Sequence, residues 1–322
     1  MWIQARMYLL VALMFAIIYG IIVAFSSYMG VGSFLVYGIL AGFMMLIQYL
    51  IGPSIVGWSM KVKWVSEADY PDLHRMVGKL AQAARIKKPR VGIAQIPLPN
   101  AFAYGRTQGD ARVCVTDGLL NLLNPDELRA VLAHEIAHVK HRDMAIITVL
   151  SVIPMVLWFI ALGTMFGGGR RHGGGAGSAA LIGLGAFLLY FITNLLVLYA
   201  SRIREYYADL DAVRLGSRPR FLATALYKLV YGNAQIPKES LKKVEGLKAF
   251  FVNDPSRAWN EVRELSQLDQ DMSGTIEYEE LLSLRSREVR VGTRDHLLEV
   301  FSTHPNMLKR IKHLSTLIDR LG

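Results

Sequence analysis

The sequence predicts a mostly helical α+β protein that crosses a membrane four times. Hydrophobic residues make up 52% of the 322 residues, a share too high for an ordinary soluble protein of this size. They gather in four charge-free runs, while the polar segments contain amphipathic helical patterns and one run of β-branched residues. We expect the apolar runs to lie in lipid and the polar segments to form one folded body.

Two apolar runs near the N-terminus predict a membrane hairpin. They cover residues 7–25 and 32–52, and each is long enough to cross the hydrocarbon core, which needs about 20 apolar residues. A cleaved signal peptide is the alternative, but the first run leads directly into the second and lacks an obvious small-residue cleavage site. We therefore expect residues 1–60 to form an uncleaved transmembrane hairpin.

A second pair of apolar runs interrupts the polar part of the chain. It covers residues 144–166 and 178–200, joined by a glycine-rich loop that contains Arg170 and Arg171. The buried core of a soluble fold is the alternative, but charge-free runs of this length are rare in soluble cores. We expect residues 144–200 to form a second transmembrane hairpin that divides the polar body into residues 61–143 and 201–322.

The charges that flank the apolar runs predict the orientation in the membrane. Basic residues lie on the side that carries the termini and the polar body: Arg6, Lys61, Lys63, Lys140, Arg142, Arg202 and Arg204. By the positive-inside rule that side is cytoplasmic, although Arg170 and Arg171 lie on the other side. The net charge of +10 is scattered, which fits an anionic lipid surface better than nucleic acid. We expect a multi-pass protein of the cell membrane without a nucleic-acid partner.

A helix with two histidines is the first candidate for a metal site. Cys114 is the single cysteine, so any metal site in this chain must use nitrogen and oxygen ligands. The sequence Asn124-Pro125 predicts the helix start, and the helix continues through LRAVLAHEIAHVKHRD. His134 and His138 then lie about 40° apart on one face, so both rings can bind one zinc ion.

The glutamate between the two histidines completes the His-Glu-X-X-His pattern. Glu135 projects about 100° away from His134, which places it as a general base for water rather than as a ligand. Small and apolar neighbours indicate a partly buried helix. The alternative is a helix whose two histidines are solvated or satisfied in a core.

Catalytic zinc takes three protein ligands and a water, so a third ligand must exist. His141 extends the same face, but an unbroken helix keeps its ring too far from an ion held by the first two histidines. Glu205, just beyond the fourth apolar run, is the better candidate. Asp209 follows four residues later, where it can orient a ligand histidine. A salt-bridged amphipathic helix without a metal is the alternative.

The motif HEIAHVKHRD, followed by an apolar hairpin and then EYYAD, resembles the heat-shock-associated membrane peptidase family HtpX. This family belongs to the wider M48 group that includes the prenyl-protein endopeptidase Ste24. The resemblance implies a gluzincin-type zinc metallopeptidase domain with one zinc ion on His134, His138 and Glu205. It also implies an endopeptidase for unfolded or misfolded membrane polypeptides, active in protein quality control. The alternatives are a CaaX-type prenyl-protein processing endopeptidase and a non-catalytic membrane scaffold or chaperone.

Two segments resemble the substrate groove of that family. PNAFAYG resembles the groove lining, here with Asn100, Ala101 and Phe102, and ARVCVTDGLL resembles an edge strand, here with Val113 and Val115. The β-branched residues of the second segment also predict a strand by themselves. We expect an extended substrate peptide to add to this strand through main-chain hydrogen bonds. An internal strand with both edges occupied is the alternative.

The C-terminal motif THPNMLKRI resembles a segment in which a histidine and an arginine lie near the reacting carbonyl. The resemblance implies that His304 stabilises the oxyanion and that Arg310 lies beside it. The chain departs from the family by a long basic insertion between Tyr231 and Phe301, at about residues 232–300.

Within the insertion, DQDMSGTIEYEE fits a twelve-position calcium loop, with Gly274 at the sharp turn. The predicted ligands are Asp269, Asp271, Ser273, the carbonyl of Thr275, Glu277 and Glu280. There is a single copy, whereas such loops usually pack in pairs, and a polar turn that caps the following helix is the alternative. Calcium is therefore a second candidate cofactor beside zinc.

Overall fold

The structure is a computed structural model that describes residues 46, 49–167, 176–235, 258–265, 268–269, 271, 273–287, 292 and 298–318. Contacts divide the chain into two compact units, one of Met1–Gly52 and Ala145–Ala200 and the other of Pro53–Met144 and Ser201–Gly322. The first predicted hairpin lies almost entirely outside the described residues. The second unit contains every residue for which the sequence predicts chemistry.

The four strands lie within residues 62–116, with one helix between the first two strands, and the later part of the described chain is helical. The strands are β1 (Val62–Trp64), β2 (Arg90–Ala94), β3 (Ala101–Tyr104) and β4 (Arg112–Thr116). The helices are α1 (Pro71–Ala84), α2 (Asp117–Leu122), α3 (Pro125–His141), α4 (Asp143–Gly167), α5 (Ala176–Arg214), α6 (Pro219–Ala234), α7 (Ala258–Leu265), α8 (Tyr278–Ser286) and α9 (Met307–Ser315). The prediction of a mostly helical α+β fold is confirmed.

The four strands form one mixed sheet in the order β1-β2-β4-β3. β2 and β4 are parallel, while β1 and β3 pair antiparallel with them at the two edges. The prediction that Arg112–Thr116 is an edge strand is therefore wrong, and with it the placement of Val113 and Val115 in a substrate groove. Both valines are 1% exposed. A β-branched run looks the same in a central strand as at an edge, because its partners come from distant sequence.

Helix α3 begins and ends at clear local signals. The Asn124 side chain accepts hydrogen bonds from the backbone N–H groups of Asp126 and Glu127, and the Glu127 carboxylate accepts one from the Asn124 N–H. This capping box satisfies the free amides of the first turn. The helix ends before Arg142, which has left-handed backbone angles (φ 57°, ψ 36°). Beyond it α4 begins, bent by 60° from α3.

The interior of the second unit holds α3 from several sides. This helix packs against α1, β3, β4 and α6, and α6 also packs against α7 and α9. Leu132 and Ile136 of α3 are completely buried, and burying such a side chain contributes about 1.5–3 kcal/mol. The face that carries the histidines is therefore fixed by the core around it.

The second predicted hairpin corresponds to helices α4 and α5. In the first unit their buried apolar residues form a cluster of Leu150, Ile153, Leu157, Val197 and Ala200. Among the described residues the helix Ala180–Arg214 is long and apolar enough to cross a membrane, and the bent pair of α3 with Asp143–Trp158 adds a second if it acts as one span. Four spans therefore stay a prediction. α5 does not end with its apolar run but continues to Arg214.

Candidate metal centre

Three side chains from two helices converge in the second unit. His134 and His138 lie on α3 and Glu205 lies on α5, with ligand atoms within 4.8 Å of one another. The Nε2 atoms of the two histidines are 3.1 Å apart, and each is 3.5 Å from a Glu205 carboxylate oxygen. Ligand atoms about 2.0–2.2 Å from a tetrahedral zinc ion are roughly 3.3–3.6 Å apart. The donor set and its spacing therefore fit one zinc ion.

The other ring nitrogen of each histidine contacts a carboxylate. His134 Nδ1 lies 2.9 Å from Asp209 Oδ1, and His138 Nδ1 lies 2.6 Å from Asp143 Oδ2. Because an ionised carboxylate only accepts hydrogen bonds, each Nδ1 is the donor. Both Nε2 atoms are thereby directed at Glu205, which is the orientation that a metal-binding imidazole requires.

Burial and neighbouring charges separate the pKa values of the two imidazoles. Burial lowers the pKa of His138 to about 4, and the positive charge of His134 adds to this effect. Burial also opposes a charge on His134, but hydrogen bonds with Asp209 and Glu205 outweigh it and raise the pKa of His134 to about 9. The two neighbouring rings therefore differ in pKa although both are buried.

Arg310 connects the carboxylates of the site. It is completely buried, and its Nε and Nη2 atoms donate to Asp209 at 3.0 and 2.6 Å. Its Nη1 atom lies 2.9 Å from Glu205 Oε2. The role that the resemblance implies for Arg310 near the reacting carbonyl stays a prediction; its contacts here are with the carboxylates that surround the histidines. A planar fork of donors suits such a position because it pairs with two buried anions at once.

His304 lies beside the same group, with its Nδ1 atom 3.3 Å from Glu205 Oε1. The segment before it is held by Arg202, whose Nη1 atom donates to the carbonyls of Glu299 and Ser302 at 2.8 Å each. The sequence predicts Arg202 only as a flanking charge. Arg202 lies three residues before Glu205 on the same helix, and this spacing indicates that both side chains share one face.

Glu135 follows His134 directly on α3, the helix that packs against β4. It is 4% exposed, and its charge acts on His138. Burial raises the pKa of the Cys114 thiol on β4 to about 12, and the charge of Glu135 contributes to that rise. The carboxylate is therefore close to both, on the side of α3 that packs against β4.

The predicted groove segment, Asn100 to Phe102, contains the edge strand β3. Asn100 is fully buried and its carbonyl accepts a hydrogen bond from the Thr116 N–H at 2.9 Å. Hydrogen-bonded pairs alternate in an antiparallel ladder, so Phe102 also pairs with β4, while Ala101 and Ala103 direct their N–H and C=O groups away from it. The outward-facing main-chain groups at this edge of the sheet therefore belong to β3 and not to Val113 and Val115 of β4.

The calcium-like loop forms a second group of ligand atoms within 4.8 Å of one another: Asp269, Asp271 and Glu280. Both oxygens of Asp269 accept backbone hydrogen bonds, one from the Ser273 N–H and one from the Gly274 N–H, both at 2.9 Å. Glu280 accepts from the amide that caps α8. Gly274 has the left-handed φ of 77° that the sharp turn requires.

The other predicted loop ligands are linked to one another. Thr275 Oγ1 lies 2.9 Å from Ser273 Oγ and donates to Glu277 Oε1 at 3.2 Å. Calcium binding by this loop stays a prediction.

Two histidines and a glutamate on two helices, next to a small mixed sheet, define a protein of the metallopeptidase class. Residues 67–318 match the family model Peptidase family M48, and the chain belongs to this family. The predicted resemblance is confirmed.

Relatives extend over most of the chain. A Protease HtpX homolog of Methanothermobacter thermautotrophicus is 49% identical over 227 residues, which are 70% of this chain and 85% of that protein. A Protease HtpX homolog 2 of Methanosarcina mazei is 34% identical over 316 residues, which are 97% of this chain and 94% of that protein. The crystal structure of S. mikatae Ste24p shares the fold, with a TM-score of 0.53 and 18% identity, over 97% of this chain and 66% of that one.

Proposed function

We propose that this protein is an integral-membrane zinc endopeptidase that hydrolyses peptide bonds of unfolded or misfolded membrane proteins on the cytoplasmic side, as part of protein quality control. The observation that carries the proposal is the convergence of His134, His138 and Glu205 at zinc spacing, next to Glu135. Membership in a peptidase family and relatives named as HtpX proteases support it.

His134, His138 and Glu205 would hold a single zinc ion. When bound, zinc supplies a Lewis acid that makes water a nucleophile near neutral pH and polarises the substrate carbonyl. The carboxylates of Asp209 and Asp143 keep the two rings in the required orientation, and Arg310 balances the negative charge of Asp209 and Glu205. The protein residues therefore provide a preorganised site.

Glu135 is the proposed general base and acid. It accepts the proton of the attacking water while the new C–O bond forms, and it delivers that proton to the amide nitrogen as the C–N bond breaks. Its side chain is 4% exposed. Little water surrounds the carboxylate, which keeps the transferred proton within the site.

His304 is the proposed donor to the carbonyl oxygen as that oxygen becomes negative. Its Nε2 atom makes no hydrogen bond within the part of the chain that the structure describes. A donor that is already held in place stabilises a developing oxyanion without reorganisation. Arg202 fixes the preceding segment and Arg310 fixes the carboxylates, so both are positioning residues.

The outer edge of β3 is the proposed binding site for the substrate backbone. An extended polypeptide would pair with the main-chain groups of Ala103, which is partly exposed, whereas Ala101 is 1% exposed. Such pairing uses no particular side chains, so it suits a protease for many unfolded proteins and excludes folded ones. Ala103→Pro tests it, because proline removes an N–H that β4 does not use. We expect about tenfold slower casein cleavage with unchanged zinc content and unfolding temperature; unchanged cleavage would contradict this site.

One experiment tests the proposed function as a whole. The full chain is purified in detergent, its zinc content is measured, and casein cleavage is followed before and after removal of the metal with a chelator. We expect one zinc per chain, loss of cleavage on chelation and recovery with added zinc. A zinc-loaded protein that leaves casein intact and cleaves only a farnesylated CaaX peptide would identify a prenyl-protein processing enzyme. No cleavage of either would favour a scaffold.

A further inference from the structure

Asp143 and Arg204 form a buried ion pair that has no part in the proposed proton transfers. Asp143 is 7% exposed and Arg204 is 6% exposed. One carboxylate oxygen of Asp143 pairs with Arg204 Nη2, and the other lies 2.6 Å from His138 Nδ1. The ion pair therefore reaches the metal centre through a single hydrogen bond to a ligand ring.

The contact between His138 and Asp143 depends on the break between α3 and α4. Residues five apart on an unbroken helix point about 140° away from each other, so their side chains cannot meet. Here the left-handed backbone of Arg142 ends α3 and turns the next residue back toward the preceding turn. Asp143 also gains a favourable position in the first turn of α4, where the helix dipole attracts an anion.

The same arrangement surrounds the other ligand histidine. Asp209 accepts from His134, and Arg310 donates two hydrogen bonds to Asp209. Each ring thus contacts one buried carboxylate, and each carboxylate pairs with one buried arginine. Arg204 precedes the third ligand directly, so α5 contributes to the support of both rings.

We propose that Asp143 and Arg204 are positioning residues for His138. Asp143 fixes the ring angle by accepting a hydrogen bond from Nδ1, so that Nε2 faces the metal, and Arg204 holds Asp143 in place. The inference rests on the proposed function, because it assumes that His138 binds zinc.

The test measures zinc affinity by chelator competition on the full chain in detergent. Removing a partner of a ligand histidine typically weakens metal binding 10–100-fold. We expect zinc binding to weaken about 100-fold in Asp143→Ala and about tenfold in Asp143→Asn and Arg204→Gln. Arg204→Lys should recover the wild-type zinc affinity. The visible spectrum of the cobalt-loaded protein should change in the first three variants.

The matched control is Glu127→Gln on the same helix. Glu127 is 1% exposed and pairs with Lys228 at 2.8 Å, but it contacts no residue of the metal centre. Glutamine keeps the capping box, so this variant loses a buried charge alone. We expect a lower unfolding temperature with the zinc affinity within about twofold of wild type.

The outcomes separate the two proposals. If wild type binds zinc and Asp143→Asn and Arg204→Gln bind it as tightly, with an unchanged cobalt spectrum, the positioning role is overturned while the proposed function stands. A wild type without zinc overturns both. If Asp143→Ala does not fold, the two conservative variants decide by the same criterion.

Discussion

Two groups of side chains in this protein are spaced to hold a cation, and they differ in what their donor atoms contact. In the metal centre, His134 and His138 each use one nitrogen for a carboxylate outside the group and direct the other at Glu205. In the calcium-like loop, both oxygens of Asp269 accept hydrogen bonds from the backbone of the loop itself.

The difference teaches that ligand spacing alone is a weak criterion for a metal site. Both groups satisfy the same 4.8 Å spacing. The metal centre is built from two helices that the core holds in place, so its donors stay oriented without an ion. The loop carboxylates also accept hydrogen bonds from the backbone of their own turn, so the turn has internal contacts that do not require an ion.

The largest expected effect tests whether the metal centre serves a reaction. Glu135→Gln preserves size but cannot accept the proton of water, so casein cleavage should fall roughly 10²–10⁴-fold. Zinc content should stay at the wild-type value, since Glu135 is not a ligand. Normal cleavage by the zinc-loaded variant would refute the role of Glu135.

The second prediction compares one glutamate from each group. Glu205→Ala removes a proposed coordination bond and should weaken zinc binding by more than about 100-fold. Glu280→Ala, in the loop, should leave zinc binding unchanged. The measurement is zinc affinity by chelator competition for both variants, and equal affinities would remove Glu205 from the ligand set.

The smallest expected effect concerns calcium at the loop. If the loop binds calcium, an ion concentration about ten times the dissociation constant adds roughly 1.4 kcal/mol of stability. Thermal unfolding with calcium and with magnesium measures this difference. Asp271→Asn should abolish the calcium-specific shift; a shift of the same size in the variant would place the ion elsewhere.

Local signals in the sequence predicted part of the metal centre. Asn124 and Pro125 predicted the start of α3, and the four-residue spacing predicted that His134 and His138 share a face. The position of Glu205 just after an apolar run predicted it as the third ligand, and the fold brings it to the histidines. The helix start and the shared face of the histidines depend on residues within one or two helical turns of each other, whereas the contact of Glu205 with them depends on the fold.

The missed features depend on partners that are distant in sequence or on an unusual backbone conformation. The strand predicted at the edge of the sheet is the central strand β4, and β3 lies at the edge instead. The sequence could not predict this order, because a strand's own residues do not specify its neighbours. The contact of Asp143 with His138 needs a left-handed residue at Arg142, a position where glycine is the usual signal. The contacts of Arg310 required α9 to pack beside α5.

The continuity of α5 through the metal centre limits how the sequence can change in length. Arg202, Glu205 and Asp209 lie within about 60° of one another around this helix, because their spacing follows successive turns. Exchanging Tyr206 or Tyr207 for another residue keeps that alignment. One residue inserted between Glu205 and Asp209 rotates Asp209 by about 100° and shifts it about 1.5 Å along the axis, which removes its carboxylate from His134. Relatives with a working centre should therefore vary here by substitution and not by insertion or deletion.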